Sequence, residues 1–168
     1  MTNQGPASSA EPARVRRAAL ADAAAIATFQ TDCWREAYRG VVPQEYLDRV
    51  GVAEREVRWR DRLATGAREI ALAEWDNLVV GVVSWTPTGT REIAPVELTS
   101  LYVAAAHRGT GLASTLLRAA IGTKPAHLWV FEDNPRAQAF YVKHGFVSSG
   151  HRQVDPGTGL PERQYVRR

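Results

Sequence analysis

Apolar positions along this chain change period several times, and each change marks an element. The short run Val15 to Ala18, VRRA, predicts a first strand. Ile26, Phe29, Cys33 and Trp34 then recur at near-helical spacing toward Tyr38, with Asp22 placed to cap that helix and Gly40 and Pro43 to end it. The segment Pro43 to Val50 predicts a short helix, and Ala53 to Leu63 a charged amphipathic one. Glu69 to Ala73 and Leu78 to Trp85 are strand-like runs around Asp76 and Asn77, the Asx residues that a hairpin turn favours. A loop from Thr86 to Pro95 follows.

Val96 to Ile121, VELTSLYVAAAHRGTGLASTLLRAAI, is the stretch around which the rest is organised. Its start reads as a strand, Ala104 to Arg108 as a turn, and the leucines after Gly109, Thr110 and Gly111 as a helix. His127 to Phe146 repeats that order: a strand, an Asn134 N-cap with Pro135 at the first helical position, and a short helix closed by Gly145. On this helix Ala137, Phe140, Tyr141 and His144 share one face. Phe146 to Val154 and Glu162 to Val166 are the last strands, with a turn over residues 155–159. The order βαα(α)ββ, βα, βα, ββ predicts one α+β domain with a mixed sheet over residues 13–168. Residues 1–12, MTNQGPASSAEP, offer almost nothing to bury and are expected to be a disordered tail.

Composition narrows the class. A chain of 168 residues, 45% hydrophobic, can bury an ordinary core without disulfides or metals, and Cys33, its one cysteine, excludes an intrachain bridge. No apolar run approaches the ~20 residues of a membrane span and no signal-like apolar segment opens the chain, so a cytoplasmic protein without a membrane partner is expected. The net charge of +3 invites a nucleic-acid reading. Against it, all of the 21 basic residues except Lys124 and Lys143 are arginines, interleaved with acids as in AEREVRWRDR, which is a pattern of solvated surface. His107, His127, His144 and His151 lack metal-ligand spacing, so no metal is expected.

The chemistry lies where the central strand meets its helix. A helix N-terminus has amides without intrahelical partners and the positive end of the macrodipole, so it favours an anion. Gly109, Gly111 and Ala113 let a ligand approach the backbone, and the ligand expected is a phosphate. A Walker loop is absent, and Ser114 stands where a dinucleotide fingerprint needs its third glycine. What remains is R-x-x-G-x-A at Arg108, Gly111 and Ala113, with an ordinary glycine-rich turn as the bland alternative. It resembles the acyl-CoA pyrophosphate loop, Q/R-x-x-G-x-G/A, of the Gcn5-related N-acetyltransferases, the GNAT superfamily. The second segment resembles that superfamily's N-x-x-A-x-x-F-Y-x-x-x-G-F element, matched at Asn134, Ala137, Phe140, Tyr141, Gly145 and Phe146. The resemblance runs from Val15 to near the end of the chain and is specific from Glu97 to Phe146.

It implies a GNAT-like fold, with a mixed, mostly antiparallel central sheet flanked by helices, and acetyl-CoA as cosubstrate. The implied activity moves an acetyl group to a primary amine of a small molecule or peptide by direct attack in a ternary complex. Phosphates would be held by Arg108 and by the backbone of Gly109, Thr110, Gly111, Leu112, Ala113 and Ser114, while Asn134 adds a contact or only caps its helix. Leu101 and Val103 would offer backbone groups to pantetheine, as a paired strand would. Tyr141, whose counterpart in the family lies beside the CoA sulfur, would be the acid, a phenol of pKa ~10 serving a thiol of about 8.5. Glu97, which period-two alternation places on one face with Thr99, Leu101 and Val103, would be the base for the amine, or else a strand-end carboxylate in solvent or a salt bridge. Trp34 and Tyr38, one helical turn apart, would wall the acceptor cleft or pack in the core. Two other readings stay open: a non-catalytic acyl-CoA-binding sensor of the same fold, and an arginine-dependent nucleic-acid module with steep salt dependence. A homodimer is left open as well.

Overall fold

The computed structural model describes residues 12–37, 51–88 and 93–168. Residues 1–11 of the tail expected over 1–12, the helix expected from Pro43 to Val50, and Tyr38 lie outside the described residues. Seven strands, β1 (Arg14–Arg17), β2 (Glu69–Trp75), β3 (Leu78–Pro87), β4 (Val96–Val103), β5 (Ala126–Phe131), β6 (Val147–Val154) and β7 (Pro161–Arg167), form one sheet. Their order is β1-β2-β3-β4-β5-β7-β6, and only β4 and β5 are parallel neighbours. The helices among the described residues are α1 (Ala23–Ala37), α2 (Val52–Thr65), α3 (Leu112–Ile121) and α4 (Pro135–Lys143). The α+β expectation holds, and β3 runs on through Thr86 and Pro87, which were expected in the following loop.

Strand alternation sorts apolar side chains into two layers. Ala71, Ala73, Val83, Leu98 and Leu128 face α3 and α4, whose Leu112, Leu116, Leu117, Ile121 and Tyr141 complete one core. Ile70, Leu72 and Val82 face α1 and α2, which contribute Ile26, Ala27, Phe29 and Trp59 to the other. Each large side chain so buried stabilises by about 1.5–3 kcal/mol, so packing, more than helix propensity, holds these helices. α3 packs closely on β3 at Gly81, where an added β-carbon would lie 2.6 Å from Leu116 Cδ1. The β2–β3 turn is the one expected: Asp76 and Asn77 have φ of 51° and 59°, and Trp75 pairs with Leu78. Both central residues are left-handed, as a type I′ hairpin requires.

The role expected of Asp22 is different. Leu20–Asp22 form a 3-10 turn ahead of α1, and the Asp22 carboxylate reaches back to the Ala19 amide at 2.7 Å rather than capping α1. It also accepts from Arg16 at 2.7 and 2.8 Å, while the same guanidinium donates to Glu74 on β2 at 2.6 and 2.9 Å. These charge-assisted bonds hold both carboxyls below the usual carboxylate range and tie β1 and the turn to β2.

A bulge in β4 overturns the period-two reading of that strand. Ser84 of β3 pairs with Ser100 and Trp85 with Leu98, which leaves Thr99 as the extra residue. The Thr99 and Ser100 hydroxyls both lie within hydrogen-bond distance of Ser84 Oγ, at 2.7 and 2.6 Å, so both occupy the face of Ser84. Leu98, Leu101 and Val103 therefore all pack toward α3 and α4. Glu97, next to Leu98, lies on the opposite face, toward α1.

Candidate active site

β4 and β5 pair only at Glu97 with His127 and Leu98 with Leu128, and then part. A cavity of about 390 Å³ occupies the mouth of that gap. It is bounded by Cys33, Trp34 and Ala37 of α1, Leu101, Tyr102 and Val103 of β4, the loop into α3, and the face of α4 carrying Ala137, Phe140, Tyr141 and His144. A second cavity of about 340 Å³ shares Ala37, Arg108, Asn134 and Arg136 with it and continues to Phe131, Leu160 and Pro161. Trp34 stands between α1 and β5, edge-on to Phe131 with ring centroids 6.3 Å apart.

The loop into α3 is shaped by two left-handed glycines, Gly109 at φ 79° and Gly111 at φ 90°. A β-carbon added at either would meet nothing within 4 Å, so the hollow beside the backbone is open. Gly111 provides no side-chain cap for α3, and the first helical bond runs from the Thr115 amide to the Gly111 carbonyl at 3.0 Å. The amides of Leu112, Ala113 and Ser114 thus begin the helix without intrahelical acceptors, where the dipole favours an anion. Of the residues expected here, Arg108, Gly109, Gly111, Ala113, Ser114 and Asn134 line the cavity. Leu112 turns its side chain into the core, and the Thr110 hydroxyl donates to the His107 carbonyl at 2.7 Å. The Asn134 carboxamide oxygen accepts from the Ala137 amide at 3.1 Å, so capping is its structural role. Arg108 donates to both carboxylate oxygens of Glu36 on α1.

Tyr141 lines the cavity but is only 8% exposed. Burial, with a lesser contribution from Tyr102, pushes its phenol far above the ordinary value, and its hydroxyl has no hydrogen bond among the described residues. Cys33 also lines the cavity, and burial pushes its thiol up to about 11. His144, unassigned in the sequence, joins the two motifs. Its Nδ1 lies 2.8 Å from the Phe140 carbonyl, which can only accept, so in the neutral ring Nε2 accepts from the Ser114 hydroxyl at 2.9 Å.

Glu97 does not line this cavity. It sits at the base of the gap on the α1 face, half-buried, with Oε2 at 4.0 Å from His127 Nε2. His127 is 6% exposed, and its Nδ1 has no hydrogen-bond partner among the described residues. Glu162, opposite Phe131 on β7, shares that face, and burial raises its carboxyl while a hydrogen bond from Gln153 opposes the shift. Sequence reasoning missed Glu36, Tyr102, His144 and Glu162, whose partners lie far off along the chain. Among the described residues no group of three or more His, Cys, Asp or Glu could hold a metal ion, and no helix is long and apolar enough to cross a membrane.

Known proteins resemble this chain in sequence and fold. The chain matches the Acetyltransferase (GNAT) family over residues 25–146. It is 27% identical to the uncharacterised N-acetyltransferase YuaI of Bacillus subtilis (strain 168), across 88% of this chain and 92% of that one. The ribosomal-protein-alanine N-acetyltransferase of Brucella melitensis superposes with a TM-score of 0.66 at 26% identity, covering 92% of this chain and 98% of its own. The protein yncA of Salmonella typhimurium, solved with its cofactor acetyl-CoA, gives a TM-score of 0.64 at 23% identity, covering 93% of each chain.

Proposed function

This chain is an acetyltransferase of the GNAT family, and on that premise we propose that it transfers the acetyl group of acetyl-CoA directly to a primary amine of a small molecule or peptide. The observation that carries the reading is the cavity at the β4–β5 gap, with the uncapped N-terminus of α3 on one side and Tyr141 on the other. The residues fit the cosubstrate. Amides from Gly109 to Ser114 would take a pyrophosphate, Arg108 would add charge, and the backbone of Leu101 and Val103, on a strand that β5 has left, would pair with pantetheine.

Glu97, on the α1 face, accepts the proton that the ammonium must lose before its nitrogen can attack. The bulge at Thr99 supports that side for the acceptor, with Trp34 walling its path. Tyr141 keeps its proton at any working pH and gives it to the sulfur only as negative charge builds there. Direct attack is favoured over an acyl-cysteine step because Cys33, the thiol in the cavity, is protonated at neutral pH. The test is calorimetric titration with acetyl-CoA and CoA, followed by thiol release across a panel of primary amines. Binding without thiol release from any amine would leave an acyl-CoA sensor. No binding at all would refute the cavity assignment.

A further inference from the structure

Two indoles fix the direction of a hydrogen-bond chain that ends on Tyr102. An indole N–H only donates. Trp59 Nε1 donates to Gln30 Oε1 at 2.8 Å, which turns the Gln30 amide nitrogen to the Tyr102 hydroxyl at 3.2 Å, again as donor. Trp34 Nε1 donates to the same oxygen at 3.2 Å. A phenolic oxygen has two lone pairs and one proton, so both lone pairs are taken and the Tyr102 O–H is left to donate. No acceptor among the described residues takes that proton, and Tyr102 lines the cavity. Trp59 is 1% exposed and Gln30 9%, so the chain is held by packing.

We propose that Tyr102 is a further catalytic residue, whose O–H donates to the acyl oxygen of the thioester and stabilises the charge that develops there. This rests on the acetyltransferase reading. As the acceptor nitrogen gives its electron pair to the acyl carbon, a C–N bond forms and the carbonyl pair moves to oxygen, where the Tyr102 hydrogen bond strengthens without transferring its proton. When C=O re-forms, the C–S bond breaks and its pair leaves on sulfur, which is protonated by Tyr141. The nitrogen's surplus proton passes to Glu97, which has by then released the ammonium's proton to solvent, and Tyr141 regains its own from solvent. An ammonium has no lone pair, so a donor-only hydroxyl is not a seat for the acceptor's cation. Gln30 and Trp34 act as positioning residues, polarising the O–H from behind.

Tyr102→Phe keeps the ring and removes the donor. The expected kcat is about a hundredfold lower, the range for losing one oxyanion donor, with acetyl-CoA affinity by calorimetry nearly unchanged. The carbonyl stretch of bound, carbonyl-13C acetyl-CoA should lie below its solution frequency in the wild type and move back toward it in the variant. An unmoved band, or an intact kcat with a raised KM for the amine, overturns the assignment. If no amine releases thiol from the wild type, the acceptor reading fails while the band still reports on the hydroxyl. Should Tyr102→Phe not fold, Trp34→Phe keeps the phenol and removes one polarising donor. The band should then move part of the way, and a wild-type band refutes the proposal.

Discussion

Arg108 and Glu36, 72 residues apart in sequence, are joined by two hydrogen bonds of 2.7 and 3.1 Å that tie the loop before α3 to the end of α1. Both side chains are partly exposed, so the pair contributes about 1 kcal/mol or less. A phosphate at the loop must share this guanidinium or take it. Glu36→Gln should therefore tighten CoA binding severalfold by calorimetry, and Arg108→Met should weaken it. Weaker binding in Glu36→Gln would show instead that Glu36 holds Arg108 ready for the phosphate.

Gly111→Asp puts a carboxylate where the phosphate is expected. Asp tolerates a positive φ better than most residues, and the site is open, so the fold should survive. CoA affinity should fall more than tenfold, over ~1.4 kcal/mol. A folded variant with wild-type affinity would place the phosphates elsewhere.

Tyr141→Phe preserves the packing of a buried ring and removes its proton. Turnover should drop at least tenfold while acetyl-CoA affinity stays near wild type, provided chemistry limits the rate. Because burial raises this phenol, its loss should remove no alkaline limb from the wild-type pH profile. Unchanged turnover would return Tyr141 to a purely packing role.

Glu97→Gln keeps the size of the side chain and abolishes its basicity. An alkyl ammonium of pKa near 10 supplies about one free amine in a thousand at neutral pH, so turnover should fall there and recover partly as pH rises. A raised KM with intact kcat and an unaltered pH profile would make Glu97 a binding group.

Arg16→Met tests the bonds between β1, the 3-10 turn and β2. Asp22 and Glu74 have depressed carboxyls, so their contribution to stability is present above the unfolded carboxylate values, about 4, and is lost as pH falls through the folded ones. Urea unfolding should show a loss of about 1–2 kcal/mol at pH 7 that shrinks toward pH 2. An equal loss at both pH values would mean that the charges contribute nothing.

Local signals carried much of the fold. Asp76 and Asn77 announced their hairpin, and Asn134 and Pro135 their helix start, because backbone conformation there depends on neighbouring residues. The face of Glu97 was misread because the bulge at Thr99 is set by pairing with Ser84, on another strand. The pairs Ser114 with His144 and Arg108 with Glu36 bring together residues 30 and 72 positions apart, and no spacing rule reaches that far. Tyr102 sits in plain view within LYV, but its donor-only state follows from indoles on two other helices.

Gly81 shows how the slot proposed for acyl-CoA is held to size from a distance. The residue lies on β3, outside the cavity lining, yet the absence of its β-carbon lets Leu116 sit where it does and so fixes how low α3 rides over the sheet. The first turn of α3 carries the amides proposed for pyrophosphate, so the height of the helix is also the width of the slot. A single methyl group at Gly81 would act as a shim: Leu116 would have to turn aside or α3 lift, and a lifted helix would widen the hollow although no residue that touches the ligand had changed.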